Sequence, residues 1–347
     1  MLSEITTIIP TRNRVLLLEK TIISVLHQSE SINQNKIIIC DNDSQDSTEK
    51  LVKEYQKKFK NIEYYKHNKN IGLYQNFSFG ISKVNTKYFN VISDDDQLTK
   101  NFLKDCINIF NENENVDIII ADTLVVNQKK NLLAGPFNDY KIGFMKSKEA
   151  VIRMSKNLIP RTWTAMLFKK QINYDYSIKP EYGPMADGLW LIDLISQNNV
   201  YCIKRIGGVL LSHNDSISQK IDIIDEKQIT GFNLFKKNFD KNNNYSRAEK
   251  DIIFNNLEPN VDDIIFKQFF SCIVKNNNDG IEQILNFLKK YKFFKLNTKY
   301  IFLKNIFNIL FFLKVILKFV NNFRKFNNAI LSKYKTRKFK SILKDIL

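Results

Sequence analysis

The hydrophobic positions in the first part of the chain form short runs that alternate with segments of helical spacing. The runs are four to six residues long, which is typical of buried strands; they cover residues 5–9, 36–40, 62–65 and 87–92. The segments between them place apolar residues three and four positions apart, which predicts helices over 16–26, 47–59, 74–83 and 101–110. Strands that alternate with helices of this length predict an α/β fold with a mostly parallel sheet flanked by helices.

The alternation changes further along the chain. Residues 116–126 are rich in strand formers, 132–180 are irregular, and the pattern then predicts a helix over 187–196 and strands over 200–203 and 208–211. After about residue 218 the pattern is almost wholly helical, and the alternation stops near Ile221. We therefore expect an α/β domain over 1–220 and a helical, basic domain over 221–347.

Composition narrows the class of protein. The chain is 44% hydrophobic and 12% aromatic, which is typical of a globular protein. Its four cysteines are scattered and form no C-x-x-C pair, which argues against a zinc site and fits a reducing compartment. The first residues lack the basic and apolar regions of a secretion signal, so we expect a cytoplasmic protein.

Most of the net charge of +17 lies near the C-terminus. Residues 289–347 contain sixteen Lys and Arg and one acid, whereas the other 288 residues contain 37 basic and 35 acidic residues. Within this region, 300–320 is rich in Phe, Leu and Ile and as a helix would extend about 30 Å. Lys314 would cost about 2.5–3.5 kcal/mol near the centre of a bilayer, so the sequence favours an interfacial helix on an anionic membrane surface.

Two other interpretations of this segment remain. The apolar face could pack internally, or against another subunit in a homo-oligomer. Binding to nucleic acid is disfavoured, because the aromatic residues form an apolar stripe and do not alternate with basic residues as a stacking platform.

Residues 88–96, Y-F-N-V-I-S-D-D-D, join an apolar run to three consecutive carboxylates, Asp94, Asp95 and Asp96. In open α/β sheets, ligands bind at the carboxyl ends of the strands. Three crowded anions repel one another unless a cation lies among them, and carboxylate oxygens suit Mg²⁺ or Mn²⁺. Such a metal would bridge to a phosphate. A solvated acidic turn that caps the next helix explains the same residues equally well.

The first two predicted strands also end in polar turns. They are P-T-R-N-R at residues 10–14 and C-D-N-D-S-Q-D-S-T at residues 40–48. An acid directly after a buried strand can accept hydrogen bonds from a nucleobase or a ribose, although a polar turn with Asp46 as a helix cap explains part of the second turn. Neither turn has the glycine pattern of a dinucleotide-binding or Walker A loop, which argues against NAD and ATP.

Three predicted strands are each followed by a polar motif, in the order P-T-x-N, D-N-x-S-x-D and D-D-D. This arrangement resembles a family 2 glycosyltransferase of the GT-A fold, of the type that builds bacterial surface polysaccharides. The resemblance covers residues 4–218. It implies that Asp41 contacts the nucleotide base and that Pro10, Thr11 and Arg12 help to hold the nucleotide. It also implies that the acidic run binds a metal, Mn²⁺ or Mg²⁺, together with the sugar nucleotide.

Within the acidic run, the resemblance implies Asp96 as a direct metal ligand. Asp94 would serve as a metal ligand or as a ribose or water-mediated contact, and Asp95 would join the nucleotide-sugar site. The sequence departs from the family at Asp43 and Ser47, where the family usually has small residues such as Gly or Ala, and Ser93 could occupy the first position of a longer acidic pattern. His213 follows an apolar strand, and in related enzymes a His at this place contacts the metal or the diphosphate. A lone His is otherwise more often structural.

Inverting transfer needs a general base, because a sugar hydroxyl is a weak nucleophile. The family uses an acid near the start of a helix, and the matching stretch here is M-A-D-G-L-W-L at residues 185–191, which implies Asp187 as the base. A carboxylate favoured by the helix dipole also explains Asp187, and Glu181 and Asp193 are reserves.

Residues 161–168, R-T-W-T-A-M-L-F, resemble the family's acceptor-side segment. Trp163 could stack on an acceptor sugar, with Glu181 nearby, although a core tryptophan is an equally good interpretation of Trp163.

The sequence as a whole therefore predicts a metal-dependent inverting glycosyltransferase. It would move a sugar from a nucleotide diphosphate donor, with a UDP-sugar favoured, to a hydroxyl of a growing surface glycan such as capsule, O-antigen or lipooligosaccharide. A lipid-linked acceptor fits a peripheral position on the inner face of the cytoplasmic membrane. The alternatives are a nucleotidyltransferase acting on sugar phosphates, whose usual Gly-rich phosphate loop is missing here, and a non-enzymatic basic nucleic-acid-binding or scaffold protein, which would not need Asp96 and Asp187.

Overall fold

The computed structural model describes residues 2–28, 35–137, 139–171, 174–213, 226–258 and 282–283. The domain boundary predicted near Ile221 and the interfacial helix predicted over 300–320 lie outside the described residues. In the part of the chain that is described, no helix is both long enough and apolar enough to cross a membrane.

Strands and helices alternate through the first 112 residues. In chain order they are β1 (Ile5–Thr11), α1 (Val15–Leu26), β2 (Lys36–Asp41), α2 (Thr48–Lys58), β3 (Ile62–Lys66), α3 (Leu73–Ser82), β4 (Tyr88–Val91), β5 (Gln97–Leu98) and α4 (Phe102–Glu112). All elements that the hydrophobic pattern predicts in this region are present, with ends that differ by one or two residues.

The rest of the described chain adds nine further elements and two 3₁₀ helices, Trp163–Ala165 and Pro180–Met185. The elements are β6 (Ile118–Asn127), β7 (Leu132–Ala134), β8 (Gly143–Met145), α5 (Ser147–Ser155), β9 (Met166–Lys169), α6 (Ala186–Ser196), β10 (Val200–Ser212), α7 (Glu226–Phe239) and α8 (Arg247–Leu257). The region predicted as irregular thus contains short regular elements. The two strands predicted after residue 200 are one strand, β10, with register shifts between Cys202 and Gly208.

Within the described residues, ten strands form one sheet in the order β3-β2-β1-β4-β9-β6-β10-β5, with β7 beside β6 and β8 beside β10. The strands β1 to β4 pair in parallel, as do β6 and β10. Strand β9 is antiparallel to both β4 and β6. The α/β class is confirmed, with parallel pairing concentrated in the first four strands. Because β9 runs against both neighbours, the carboxyl ends of β1, β2, β4, β6 and β10 face the same edge of the sheet.

The core lies on both faces of this sheet, and helices α7 and α8 belong to it. Side chains from the two helices, Phe232, Phe235 and Phe254, join the same buried cluster as Trp190 and Leu194 of α6. The described helical residues beyond 225 therefore share the core of the α/β unit. The division into two domains stays a prediction.

Helix α7 approaches the 3₁₀ helix Pro180–Met185 closely at Gly231. A Cβ atom added at Gly231 would lie 2.3 Å from the carbonyl oxygen of Tyr182. The Nδ2 of Asn238 donates to the Tyr182 hydroxyl at 3.0 Å, and the rings of Tyr182 and Phe235 meet edge to face at 5.8 Å. This contact supports the segment that leads into α6.

Candidate active site

Asp41 ends β2 and is fully buried. Its carboxylate accepts hydrogen bonds from the Ser44 amide at 2.8 Å and from the Tyr64 hydroxyl at 2.5 Å. Asp41 thus organises the turn after β2, and its neighbour Asn42 faces the cavity beside this turn. The contact between Asp41 and a nucleotide base stays a prediction.

The turn after β1 is tied to the turn after β2. Asn13, at a left-handed φ of 54°, donates its amide to the Ser44 hydroxyl at 2.9 Å and accepts the Gln45 amide at 2.7 Å. Asp46 accepts the amides of Val15 and Thr48, each at 3.0 Å, so it holds the starts of both α1 and α2. The N-cap residue of α2 is Ser47, one position after the predicted cap, and its side chain makes no capping hydrogen bond. The two turns therefore form one rigid rim.

This rim borders a cavity of about 770 Å³. The residues predicted to hold a nucleotide, Pro10, Thr11 and Arg12, line it. Polar side chains from the neighbouring loops share the lining, and they include Asn42, Asn70, Asn76 and Gln128. Asp94 and His213 also face this cavity, which joins the two turns to the end of β4.

The three carboxylates that follow β4 are held by different partners. Asp94 accepts the Thr11 hydroxyl at 2.8 Å and Arg14 Nη1 at 3.0 Å. Asp96 accepts the Thr164 hydroxyl at 2.8 Å and the Leu211 amide at 3.3 Å. Both aspartates are buried. Their partners come from three separate parts of the chain, namely the turn after β1, the 3₁₀ helix Trp163–Ala165 and β10, so the acidic cluster lies where these parts converge.

Asp95 lies between two cationic or potentially cationic groups. Its Oδ2 is 2.9 Å from Arg14 Nη1 and 2.9 Å from Nε2 of His213, which follows β10. The same Arg14 nitrogen contacts Asp94, so one guanidinium bridges two carboxylates. The structure therefore brings His213 to the acidic cluster, and its contact with a metal or a diphosphate stays a prediction.

Burial and mutual repulsion disturb the titration of this cluster. Burial, with help from the charge of Asp95, raises the pKa of Asp94 to about 6, against the opposing effects of Arg14 and Thr11. Burial and the charge of Asp95 likewise raise the pKa of Asp96 well above its usual value. The described residues contain no group of three His, Cys, Asp or Glu side chains arranged to hold a metal ion. A divalent cation nevertheless fits the chemistry, because crowded carboxylate oxygens are the donors that Mn²⁺ and Mg²⁺ prefer.

A second cavity, of about 660 Å³, adjoins the first and shares Pro10, Arg14, Leu73 and Asp94 with it. Asp94, Asp95 and Asp96 line it together with Asp187. Most of its remaining wall is apolar or aromatic, and includes Leu73, Tyr74, Phe77, Trp163, Leu210 and Leu211. The predicted metal-binding run and the predicted base thus share one cavity.

Asp187 is the second residue of α6, and its Oδ1 accepts the amide of Gly188 at 2.8 Å. Burial raises the pKa of Asp187 above its usual value, whereas its hydrogen bonds to backbone amides and the nearby charge of Arg161 lower it. Asp187 is therefore a partly desolvated carboxylate that faces a cavity, which is an arrangement common among catalytic bases.

The predicted acceptor residues, Trp163 and Glu181, and the reserve base Asp193 occupy different places. Trp163 lies on the 3₁₀ helix before β9, lines the second cavity, and meets Phe77 edge to face at 5.3 Å. Glu181 is exposed and lines neither of the two cavities, and Asp193 lies in the body of α6 away from both. Only Trp163 of these three faces the site.

Sequence reasoning missed Arg14 and Thr164 as partners of the acidic cluster. Arg14 closes the P-T-R-N-R turn after β1, so its proximity to the carboxyl ends of the strands could have been noticed. Thr164 lies 68 residues from Asp96. Nothing in the local pattern connects those two residues.

Comparison with known proteins agrees with this geometry. Residues 6–176 match the family model of glycosyl transferase family 2. The chain is 27% identical over 113 residues to the minor teichoic acid biosynthesis protein GgaB of Bacillus subtilis (strain 168), over 32% of this chain and 13% of that protein. It is 23% identical over 139 residues to the glycosyltransferase MJ1057 of Methanocaldococcus jannaschii, over 40% of this chain and 48% of that one. The chain thus spans less than half the length of these curated relatives.

Solved structures of S. aureus TarS share the fold. TarS 1-349 in complex with UDP-GlcNAc aligns with a TM-score of 0.62 at 15% identity, over 82% of this chain and 79% of that one. TarS 1-349 in complex with UDP aligns with a TM-score of 0.60 at 15% identity, over 82% and 78%. The predicted GT-A fold is confirmed, and so is the resemblance to a family 2 glycosyltransferase, which residues 6–176 carry.

Proposed function

We propose that the protein is an inverting glycosyltransferase that moves a sugar from a nucleotide diphosphate donor to a hydroxyl of a bacterial surface glycan. The observation that carries this proposal is the shared cavity, in which Asp187 faces the same space as Asp94, Asp95 and Asp96. A donor diphosphate beside the acidic cluster would leave its sugar between that cluster and Asp187. An acceptor hydroxyl that enters along the apolar wall would then reach the sugar from the side of Asp187.

A UDP-sugar is the favoured donor. The proposal is supported by the shared fold of S. aureus TarS, whose structures are in complex with UDP-GlcNAc and with UDP. In this chain the cavity next to the two turns would hold the nucleoside, with Pro10, Thr11 and Arg12 in its wall. The amide side chains in the same wall, Asn42, Asn70 and Asn76, could hydrogen-bond to polar edges of a base or ribose.

Asp187 would take the proton of the acceptor hydroxyl as that oxygen attacks the anomeric carbon. The bond from the anomeric carbon to the diphosphate oxygen breaks on the opposite face, so the configuration inverts. The raised pKa of Asp187 suits this task, because a base whose pKa lies closer to neutral pH accepts a proton more readily. The apolar wall around it excludes water that would otherwise compete with the acceptor.

A divalent metal, Mn²⁺ or Mg²⁺, would belong to the acidic cluster. The contact between Asp95 and His213 offers one carboxylate and one imidazole, and Asp94 and Asp96, the ligands implied by the sequence, flank them. When bound, the metal would neutralise negative charge on the leaving diphosphate.

The acceptor would be a surface glycan, with support from the similarity to the teichoic acid biosynthesis protein GgaB. The aromatic wall of the second cavity suits the apolar faces of sugar rings. A lipid-linked acceptor would be met at the inner face of the cytoplasmic membrane, where the basic segment from about residue 289 would bind anionic headgroups. Removal of residues 289–347 should then release the enzyme from anionic vesicles, and unchanged vesicle binding by a folded truncation would contradict this part of the proposal.

A thermal-shift panel of nucleotide diphosphates tests the proposal as a whole. UDP with Mn²⁺ should raise the melting temperature more than the other nucleotides, and more than UDP without metal. The Asp187→Asn variant should show the same stabilisation but lose transfer of sugar. Stabilisation by no nucleotide, or equal transfer by the variant, would contradict the proposed function.

A further inference from the structure

Strand β4 carries a buried amide, Asn90, at the point where its pairing with β9 ends. The ladder between β4 and β9 contains the pairs Tyr88 with Lys169 and Phe89 with Phe168, and Asn90 follows directly. On its other side, Asn90 pairs with Thr7 of β1, and the residue is fully buried. The strands β4 and β9 therefore stop pairing at Asn90, and a gap opens between them toward the edge of the sheet where the acidic cluster lies.

The side chain of Asn90 spans this gap. Its Nδ2 donates to the carbonyl oxygen of Thr164 at 3.0 Å and to that of Met166 at 2.8 Å. Both partners are acceptors, so the amide orientation is settled by chemistry, because only the NH₂ group can face two carbonyl oxygens. One side chain thus replaces the backbone hydrogen bonds that the strands no longer exchange.

The oxygen of the same amide has no hydrogen-bond partner among the described residues. A buried acceptor without a partner destabilises the folded state, and an apolar side chain of similar size would avoid that cost. The two donated bonds are therefore the feature that distinguishes Asn90 from a plain core residue. They hold the 3₁₀ helix Trp163–Ala165 at its central residue, Thr164, and at Met166, which follows its last residue.

This short helix contributes to both halves of the site. The Thr164 hydroxyl donates to Asp96 at 2.8 Å, and Trp163 lines the second cavity. We propose that Asn90 is a positioning residue that holds the Trp163–Ala165 helix and thereby sets the carboxylate of Asp96 and the indole of Trp163 together. The effect of Asn90 on catalysis rests on the proposed function. Its effect on the position of Trp163 does not.

The test compares Asn90→Leu with Asn61→Leu. Asn61 is a matched control, because its Nδ2 also donates to a backbone carbonyl, that of Asn35 at 2.6 Å, and its buried Oδ1 also has no partner among the described residues. Asn61 precedes β3, at the opposite edge of the sheet from the site. Both substitutions remove donors of the same kind, and only Asn90→Leu should disturb the Trp163–Ala165 helix.

The chain contains two tryptophans, so 5-fluorotryptophan gives two ¹⁹F resonances, which Trp190→Phe assigns. Well below the melting temperature, Asn90→Leu should shift or broaden the Trp163 resonance, and Asn61→Leu should leave it in place. A purely structural role of Asn90 would lower the melting temperature in the same way as Asn61→Leu without moving the Trp163 signal. An unmoved signal in folded Asn90→Leu overturns the proposal. If Asn90→Leu does not fold, Asn90→Ser is measured against the same criterion.

Binding of UDP by the full-length protein, with and without Mn²⁺, tests the connection to Asp96. Asn90→Leu should reduce the gain in affinity that Mn²⁺ provides by about 10-fold or more, as expected when a group that orients a metal-site carboxylate is lost. An unchanged gain overturns that connection. If the wild-type protein does not bind UDP, the proposed function fails, and the ¹⁹F result alone decides the role of Asn90.

Discussion

Replacement of Gly231 by Ala should destabilise the protein, although Ala is the better helix former. A Cβ atom at Gly231 would lie 2.3 Å from the carbonyl oxygen of Tyr182 and 2.5 Å from its carbonyl carbon. These are backbone atoms that cannot rotate away, so α7 or the 3₁₀ helix Pro180–Met185 must shift. Such overpacking costs about 1–3 kcal/mol, and the helix propensity of Ala returns about 1 kcal/mol at most. We expect the free energy of unfolding to fall by about 1–2 kcal/mol. This is the upper part of the range left after the helix propensity is subtracted, because the atoms in the way belong to the backbone.

Gly188→Ala is the matched control, because Gly188 lies in α6 and a Cβ there would meet nothing within 4 Å. This variant should gain up to about 1 kcal/mol from helix propensity. Urea unfolding of both variants measures the difference, provided that the m-values agree with the wild type. Gly231→Ala should also reduce turnover, since Tyr182 lies five residues before Asp187. Equal stability of the two variants would show that α7 does not pack on Tyr182.

Three further predictions concern the site. Burial raises the pKa of Asp187, and the charge of Arg161 opposes that shift. Activity should therefore fall on the acid side at a pH above the usual range of an aspartate, and Arg161→Gln should move this fall to still higher pH. If Arg161→Gln leaves it in place, Asp187 is not the base. Burial raises the pKa of Asp94 to about 6, so the ionised carboxylate destabilises the folded state. Without metal, the free energy of unfolding should therefore decrease by up to about 3 kcal/mol as the pH rises from about 4 to about 6. Asp94→Asn should make this pH dependence shallower in urea unfolding. Tyr64→Phe removes the hydrogen bond to the buried Asp41 and should cost about 1.5–3 kcal/mol in urea unfolding, a loss that Tyr65→Phe, on the same strand, should not reproduce.

The elements of the first half could be predicted because each is defined by its own hydrophobic period. The end of a buried strand is also visible in the sequence, which is why Asp41 and Asp94 could be proposed before any contact was known. Asp187 lies at the start of α6 and was proposed from the resemblance of residues 185–191 to the family. Strand direction has no such signal, so the antiparallel insertion of β9 between β4 and β6 was missed. The short elements within 132–180 follow from that insertion and from pairing with distant strands.

Partners of the site residues were unpredictable for the same reason. Arg14 meets Asp94 across 80 residues of chain, and Thr164 meets Asp96 across 68, so these pairs exist only once the sheet has formed. The role of Asn90 is harder still to read, since an asparagine in an apolar run resembles an ordinary interruption of a strand. Its meaning comes from the gap between β4 and β9, which is a property of the tertiary structure.

The acidic cluster carries more negative charge than its direct contacts neutralise. When ionised, Asp94, Asp95 and Asp96 bring three negative charges into a largely buried space, and the guanidinium of Arg14 supplies one positive charge by direct contact. The excess is about two negative charges when His213 is neutral. Burial is the main cause of the raised pKa values of Asp94 and Asp96, and the charge of Asp95 adds to it. A divalent cation would supply the missing charge, and a diphosphate that shares the cation would be drawn to the same place. The electrostatic imbalance of the cluster and the location of Asp187 in the adjoining cavity therefore support one and the same reaction.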